Sequence, residues 1–135
     1  MKIGDNASFE KTITEFDVGM FSRLTGDLNP VHVSDIEAKE SGFEKRIVHG
    51  MLVSSMISTV LGMKLPGPDT IYMEQDSKFL KPVYIGDTVR AIVQVTEIIN
   101  REKGIIKLDS SVQNQNGEVV IIGYSIVKVK KGILE

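Results

Sequence analysis

The sequence predicts an α+β fold in which a curved antiparallel sheet wraps around one long buried helix. Residues 51–63 contain no charged residue and present no polar face, which is typical of a helix surrounded by protein on most sides. After residue 70 the pattern changes to alternating and β-branched runs separated by short turn signals, which is typical of antiparallel strands. Packing such a helix against such a sheet buries the apolar faces of both.

The first helix is predicted to begin after Thr14, following a short extended opening, and to end at Gly26. Thr14 with Asp17 three residues later resembles a capping box, in which Glu or Gln is the more usual partner. Gly26 fits as the terminating residue, because glycine adopts the left-handed conformation that ends many helices. The apolar residues of this segment recur on one helical face, namely Phe16, Met20, Phe21 and Leu24.

Two further helices are predicted before the sheet-forming half. Ser34 followed by Glu37 is a second capping signal, and Gly42 closes the short helix that it begins. The buried central helix is placed at about residues 50–63. The loop 64–68, which contains two prolines, ends it.

Four strands are predicted after these helices, covering residues 70–84, 87–99, 105–115 and 118–130. The first is expected to bend or break before Pro82, because proline cannot donate to a sheet ladder. Asn116-Gly117 is a strong hairpin signal, and Lys103-Gly104 marks a second turn. Alternation in the second strand places four small apolar residues on one side: Val89, Ala91, Val93 and Val95.

Composition limits the classes of function. The chain has 135 residues, a formal net charge of −2 and no cysteine, and we expect one domain spanning residues 1–135. The charge provides no general attraction to nucleic acid or anionic membranes, and no apolar run reaches the roughly 20 residues that cross a bilayer. Without cysteine there are no disulfides, thiolate nucleophiles or cysteine zinc sites. The N-terminal stretch lacks a signal-peptide apolar region, so we expect a cytoplasmic protein.

The stretch "TGDLNPVHVS", residues 25–34, contains a carboxylate and one of only two histidines of the chain. Asp27 and His32 are five residues apart, a spacing that misaligns two side chains on a helix and places them on opposite faces of a strand. In an irregular turn through Asn29-Pro30 the two side chains can instead point into one pocket. The alternative is a capping aspartate and a structural histidine, and the spacing alone favours that alternative.

The start of the central helix offers a second feature. Gly50 lets another group approach the backbone closely, and the first N–H groups of a helix lack internal partners, so they can bind an anion or a polarised carbonyl oxygen. Equally, Gly50 can simply relieve crowding. His49 is expected to hydrogen-bond locally and orient the turn. No ligand spacing typical of zinc accompanies the two histidines and the aspartate, so we predict no metal site.

The segment "FSRLTGDLNPVHVSDIEAKESGFEKRIVHGMLVSSMISTVLG", residues 21–62, closely resembles the hydratase motif of the MaoC-like, R-specific enoyl-CoA hydratases. The motif combines Asp-x-Asn-Pro-apolar-His with a His-Gly-Met-Leu helix start, and the resemblance extends over nearly the whole chain. It implies the hotdog fold, a long helix wrapped by an antiparallel sheet. It also implies a homodimer with active sites near the interface, and an exposed sheet edge favours a homodimer independently.

The resemblance also implies roles for individual residues. Asp27 and His32 match the catalytic pair, and Gly50 matches the glycine whose N–H polarises the thioester carbonyl. Asn29 matches a residue that supports the turn, and Ser58 a serine that helps to order the catalytic groups. The implied reaction is reversible hydration of a trans-2-enoyl-CoA to an (R)-3-hydroxyacyl-CoA. No cofactor is expected, since side chains suffice for both proton transfers.

Several alternatives remain open on the sequence. A 3-hydroxyacyl-ACP dehydratase runs the same chemistry in reverse, and a non-catalytic acyl-CoA-binding module would share the fold. A hotdog acyl-CoA thioesterase often activates water with a carboxylate on the central helix, and residues 50–63 contain none. The phosphates of CoA favour basic residues near the pocket mouth, but such charges are commonly only surface charges, so we assign none of these to the site: Lys45, Arg46, Lys78 and Lys81.

Overall fold

A computed structural model describing residues 1–135 contains five strands and four helices. In chain order they are β1 (Asn6–Thr12), α1 (Glu15–Thr25), α2 (Pro30–Val33), α3 (Asp35–Glu40), α4 (Gly50–Met63), β2 (Ile71–Phe79), β3 (Thr88–Asn100), β4 (Ile105–Gln113) and β5 (Val119–Lys128). The strands form one antiparallel sheet in the order β1-β3-β4-β5-β2. Helix α4 contacts β1, β2, β3 and β4, so the sheet wraps around it as predicted.

The hydrophobic core lies between α4 and the sheet. Val53, Ile57 and Val60 of α4 are buried in a single cluster with apolar side chains from the strands. The four alternating residues predicted to share one side of β3 are all in this cluster, namely Val89, Ala91, Val93 and Val95. Since one face of β3 is buried, its register is strongly fixed: a slip of one residue would bring polar side chains into the core.

The predicted turns and caps are confirmed. Gly117 and Gly104 have positive φ values of 74° and 72° in the β4–β5 and β3–β4 turns, a conformation that disfavours a side chain. Thr14 caps α1 in a full capping box with Asp17, which shows that aspartate can replace the usual Glu or Gln. Strand β2 ends before Pro82, and a β-bulge interrupts its pairing with β5 near its start.

The structure shows where the apolar face of α1 lies and corrects one expectation about the central helix. The apolar stripe of α1 does not enter the core: Phe16, Met20 and Leu24 are 72%, 55% and 87% exposed, whereas the buried residues are Val18 and Ser22. The central helix is enclosed on its sheet side only. On its other side Met51, Ser55, Ser58 and Met63 are exposed, so the sequence pattern overstated how completely one chain covers this helix. No helix is long and apolar enough to cross a membrane.

Candidate active site

The stretch that the sequence marked as irregular contains one regular turn. Residues 30–33 form the short helix α2, with Pro30 at its first position, where a missing N–H removes no helical hydrogen bond. The Asn29 side chain accepts from the Val31 N–H at 3.4 Å, and the Asn29 carbonyl accepts from the His32 N–H at 2.9 Å. Asn29 therefore supplies two acceptors to this turn. The assumption that this segment cannot be regular is wrong, because Asn-Pro is also a helix start.

His32 is buried and its orientation is fixed by the main chain. Its Nδ1 lies 2.8 Å from the carbonyl oxygen of Ile47. A carbonyl can only accept, so Nδ1 carries the hydrogen of this bond. In the neutral ring Nε2 is consequently the nitrogen with a free lone pair. Since His32 also lines a predominantly apolar pocket, that lone pair is available to a bound water or substrate.

Asp27 lies in the exposed loop between α1 and α2. One carboxylate oxygen accepts from the Asn29 N–H at 3.2 Å, and the Asp27 N–H donates to the Thr25 hydroxyl at 3.2 Å. One carboxylate oxygen of Asp27 and one ring nitrogen of each histidine lie within 4.8 Å of one another. The loop and α2 thus bring the predicted acid–base pair together, although Asp27 is not itself among the residues that line the pocket.

His49 completes this cluster from the residue before α4. Its Nε2 lies 3.1 Å from the Asp27 carbonyl oxygen and 3.2 Å from the Ser22 hydroxyl. Its ring stacks on His32 with centroids 3.9 Å apart. Because Nε2 faces a carbonyl, it carries a hydrogen and cannot simultaneously ligate a metal. His49 thus contacts the main chain of Asp27 by a hydrogen bond and the ring of His32 by stacking.

Gly50 is the first residue of α4 and faces the same pocket as His32. Its N–H donates to no other group of the chain, and it lies at the positive end of the helix dipole. The pocket has a volume of about 370 Å³ and a predominantly apolar lining that includes Phe43, Val53 and Phe79. An imidazole and a free backbone donor thus border an apolar cavity, which suits a ligand with one polar group and a hydrocarbon part.

Ser58 is not brought to the other predicted site residues. It is eight positions beyond Gly50 on α4, which is about 12 Å along the axis and about 80° around it. It lines a separate depression of about 330 Å³ on the open side of α4, together with Met51 and residues 72–75. Its supporting role stays a prediction.

Most of the basic residues considered near the pocket already have acidic partners. Lys81 pairs with Glu118, and the hydrogen bond between them lowers the pKa of Glu118. The Arg46 guanidinium lies 2.8 Å from Glu15, which raises the pKa of Arg46. Lys78 pairs with Asp76 in the same way. Only Lys45 of the four candidates lacks a hydrogen bond or ion pair from its side chain, so the pocket mouth does not carry a concentrated positive charge.

The sequence reasoning missed two contributors to the site and one residue that contacts His49 from α1. The Ile47 carbonyl, which orients His32, has no side-chain signature and could not be found from residue types. The Phe79 ring, which packs against Gly50, comes from a strand 29 positions further along the chain. Ser22 contacts His49 and lies four residues after Val18 on the buried stripe of α1, which no residue pattern in the sequence marks as the covered side.

Comparison with known proteins gives consistent results. A family model described as "MaoC like domain" matches residues 2–116. The (R)-specific enoyl-CoA hydratase of Rhodospirillum rubrum is 45% identical over 130 residues, covering 96% of this chain and 88% of that protein. The 3-hydroxybutyryl-CoA dehydratase of Methylorubrum extorquens is 39% identical over 132 residues, covering 97% of this chain and 82% of that protein.

The fold is likewise shared with a solved structure. The (R)-hydratase from Aeromonas caviae, described as involved in PHA biosynthesis, superimposes with a TM-score of 0.92 at 36% identity. The match covers 96% of this chain and 98% of that one. The predicted hotdog fold is therefore confirmed.

Proposed function

The chain belongs to the MaoC-like domain family, and on that premise we propose that it is a hydro-lyase that adds water to trans-2-enoyl-CoA thioesters, giving (R)-3-hydroxyacyl-CoA. One observation carries the proposal: a carboxylate, an imidazole and an unpaired helix N–H converge beside an apolar pocket. Hydration of an enoyl thioester requires these three elements, namely a base for water, a proton source for C2 and a donor to the thioester oxygen.

In the proposed mechanism a water molecule is bound between the Asp27 carboxylate and His32. Nε2 of neutral His32 is an acceptor because Nδ1 donates to the Ile47 carbonyl. Two acceptors take both water hydrogens and leave an oxygen lone pair directed at C3. The oxygen bonds to C3, a water proton passes to Asp27, and a proton returns from the Asp27–His32 pair to C2. The pair thereby ends each turnover in the protonation state in which it began.

Gly50 supplies the third element. Attack at C3 moves electron density onto the thioester oxygen, and the enolate that forms needs a fixed hydrogen-bond donor. The free Gly50 N–H provides one, assisted by the positive end of α4. Removal of such a donor typically costs about 10²–10³-fold in kcat, so this group contributes as much to the rate as either side chain.

Kinetic assay of two variants tests the proposal. Asp27→Asn and His32→Ala are each expected to lower kcat on crotonyl-CoA at least about a hundredfold, since positioned acid–base groups supply ~10²–10⁴-fold. Asp109→Asn, at an exposed carboxylate on β4 without any hydrogen bond or ion pair, is the matched control and should leave kcat unchanged. Near-normal activity in both Asp27→Asn and His32→Ala would refute the assignment.

Product analysis separates the alternatives. Loss of the enoyl absorbance without free thiol indicates hydration, whereas thiol release indicates a thioesterase. A thioesterase is disfavoured because α4 carries no carboxylate. A large preference for ACP-bound over CoA-bound substrate would assign the chain to the dehydratases of fatty acid synthesis. Acyl-CoA binding without turnover would indicate a binding module.

We further propose that the chain acts as a homodimer. Apolar side chains on the open face of α4 and on the edge strand β2 are exposed next to one another, among them Met51, Ile71 and Met73. An uncovered apolar edge strand is a common pairing surface. Light scattering should give twice the chain mass of 14.9 kDa, and Met73→Lys should shift the protein towards monomer. A monomeric wild-type protein would contradict this.

A further inference from the structure

His49 is tied to the catalytic cluster by contacts that leave it no role in proton transfer. It is only 2% exposed, and its Nε2 is occupied by the Asp27 carbonyl and the Ser22 hydroxyl. Its Nδ1 is buried and has no hydrogen-bond partner. Neither nitrogen is therefore free to meet a substrate or to exchange a proton with one, and the mechanism above makes no use of the ring.

The loop that carries Asp27 depends on His49 for its attachment to the rest of the fold. The other hydrogen bonds of residues 26–29 are local, joining groups at most four positions apart. The bond from His49 Nε2 to the Asp27 carbonyl spans 22 positions and is the only hydrogen bond that links this exposed loop to a distant part of the chain, the residue before α4. Without it, the position of the Asp27 carboxylate would rest on local turn contacts alone.

The same ring also limits the movement of His32. The two imidazoles stack with centroids 3.9 Å apart and an angle of 27° between their planes. The Phe21 ring lies on His49 at a centroid distance of 4.8 Å. Phe21 and Ser22 of α1 thus hold His49 in place. The His49 ring in turn contacts the main-chain carbonyl of Asp27 and the imidazole of His32.

We propose that His49 is a positioning residue: by donating to the Asp27 carbonyl and stacking on His32, it holds the carboxylate and the imidazole at the separation that the bound water requires. This inference rests on the proposed hydratase function. Catalytic geometry is steeply sensitive to placement, and a displacement of about 1 Å can cost about a hundredfold in rate.

Three variants test the inference by steady-state kinetics on crotonyl-CoA. His49→Phe keeps a ring over His32 and removes the donor, so we expect kcat to fall about 30- to 100-fold with KM changed less than about threefold. His49→Gln places an amide donor near Nε2 and should retain kcat within about tenfold of wild type. Ser22→Ala removes the other partner of Nε2 but leaves the bond to Asp27, and should retain kcat within about threefold.

The rank order of kcat among these three variants decides the outcome. His49→Phe as active as His49→Gln, or Ser22→Ala as impaired as His49→Phe, would overturn the proposal. Circular dichroism and the thermal midpoint identify variants that fail to fold. If His49→Phe is one of them, His49→Gln decides alone: folded and within tenfold of wild type supports the inference, and a folded protein with a hundredfold loss overturns it.

A double-variant cycle shows whether His49 acts through Asp27. Since a positioning residue has nothing left to position once the carboxylate is gone, adding His49→Phe to Asp27→Asn should lower kcat by less than about threefold more. A full additional loss would assign His49 another role. If wild-type protein hydrates no enoyl-CoA, the proposed function itself fails. If wild-type protein hydrates enoyl-CoA and Asp27→Asn lowers kcat, but His49→Phe is as active as wild type, the inference about His49 fails and the proposed function stands.

Discussion

Gly50→Ala provides the sharpest test of how the site is built, because the consequence of one added methyl group can be worked out from the structure. A Cβ at position 50 would lie 2.8 Å from Cε1 and 2.9 Å from Cδ1 of Phe79. Ordinary contact begins at 3.4 Å, so the ring has to move about 0.6 Å. Phe79 is 52% exposed and can yield. The clash therefore costs little, while the methyl group and the displaced ring obstruct the approach to the Gly50 N–H.

The expected result is a separation of stability from activity. The ring movement costs little, and at the first helical position alanine gains at most the roughly 1 kcal/mol by which it exceeds glycine in a helix interior, so the free energy of unfolding should stay within about 1 kcal/mol of wild type. Removal of a single hydrogen-bond donor to the oxyanion lowers kcat by up to about 10²–10³-fold. Because access to the Gly50 N–H is obstructed and the donor itself stays, we expect kcat/KM on crotonyl-CoA to fall about 10- to 100-fold. Chemical denaturation and the spectrophotometric hydration assay measure the two quantities.

Two further variants control this prediction. Gly62→Ala lies on the same helix, where an added Cβ meets nothing within 4 Å, and it should keep full activity. Combining Gly50→Ala with Phe79→Leu should recover most of the lost kcat/KM, because the smaller side chain makes room for the methyl group. Full activity in Gly50→Ala, or no recovery in the double variant, would refute the reasoning that the thioester oxygen reaches the Gly50 N–H past Phe79.

Two other predictions concern stability. The hydrogen bond from the Thr14 N–H holds the pKa of Asp17 below its usual 3.8 in the folded state. The stabilisation from Asp17 is therefore present above pH 3.8 and is lost as the pH falls through the folded pKa. The difference in unfolding free energy between wild type and Asp17→Asn should be largest near neutral pH and vanish in acid. Chemical denaturation at neutral and at acidic pH measures this difference. Gly123→Ala would place Cβ 1.8 Å from the main-chain oxygen of Asp76, so β2 would have to move away from β5. We expect the free energy of unfolding, measured by chemical denaturation, to fall by about 3–4 kcal/mol. A loss below about 1 kcal/mol would contradict the close approach of the two strands.

Features encoded by neighbouring residues were predictable from the sequence. The limits of α4, the capping box of α1 and both hairpin turns follow from residue types a few positions apart, and the structure places them where expected. The hydratase-like motif of residues 21–62 predicted Asp27, His32 and Gly50 as site residues. The fold places His32 and Gly50 on one pocket, with Asp27 next to His32.

Features that depend on distant contacts were not predictable. Most of the apolar stripe of α1 is exposed, because the adjoining positions Val18 and Ser22 are the ones that the fold covers. Phe79 meets Gly50 only after β2 has returned along α4. Periodicity reports that a helix has an apolar side, but it does not report which side the rest of the chain reaches.

The hydrogen bond from His32 to Ile47 involves only the main chain of Ile47, so the orientation of His32 does not depend on the side chain at position 47. Ile47 uses its carbonyl to fix the His32 tautomer and its N–H to bond the Val31 carbonyl, while its side chain forms part of the pocket wall. Both fixed contacts are main-chain contacts and persist when the side chain is exchanged. We therefore expect that the size of the side chain at position 47 can be changed to reshape the cavity without changing which nitrogen of the His32 imidazole is protonated.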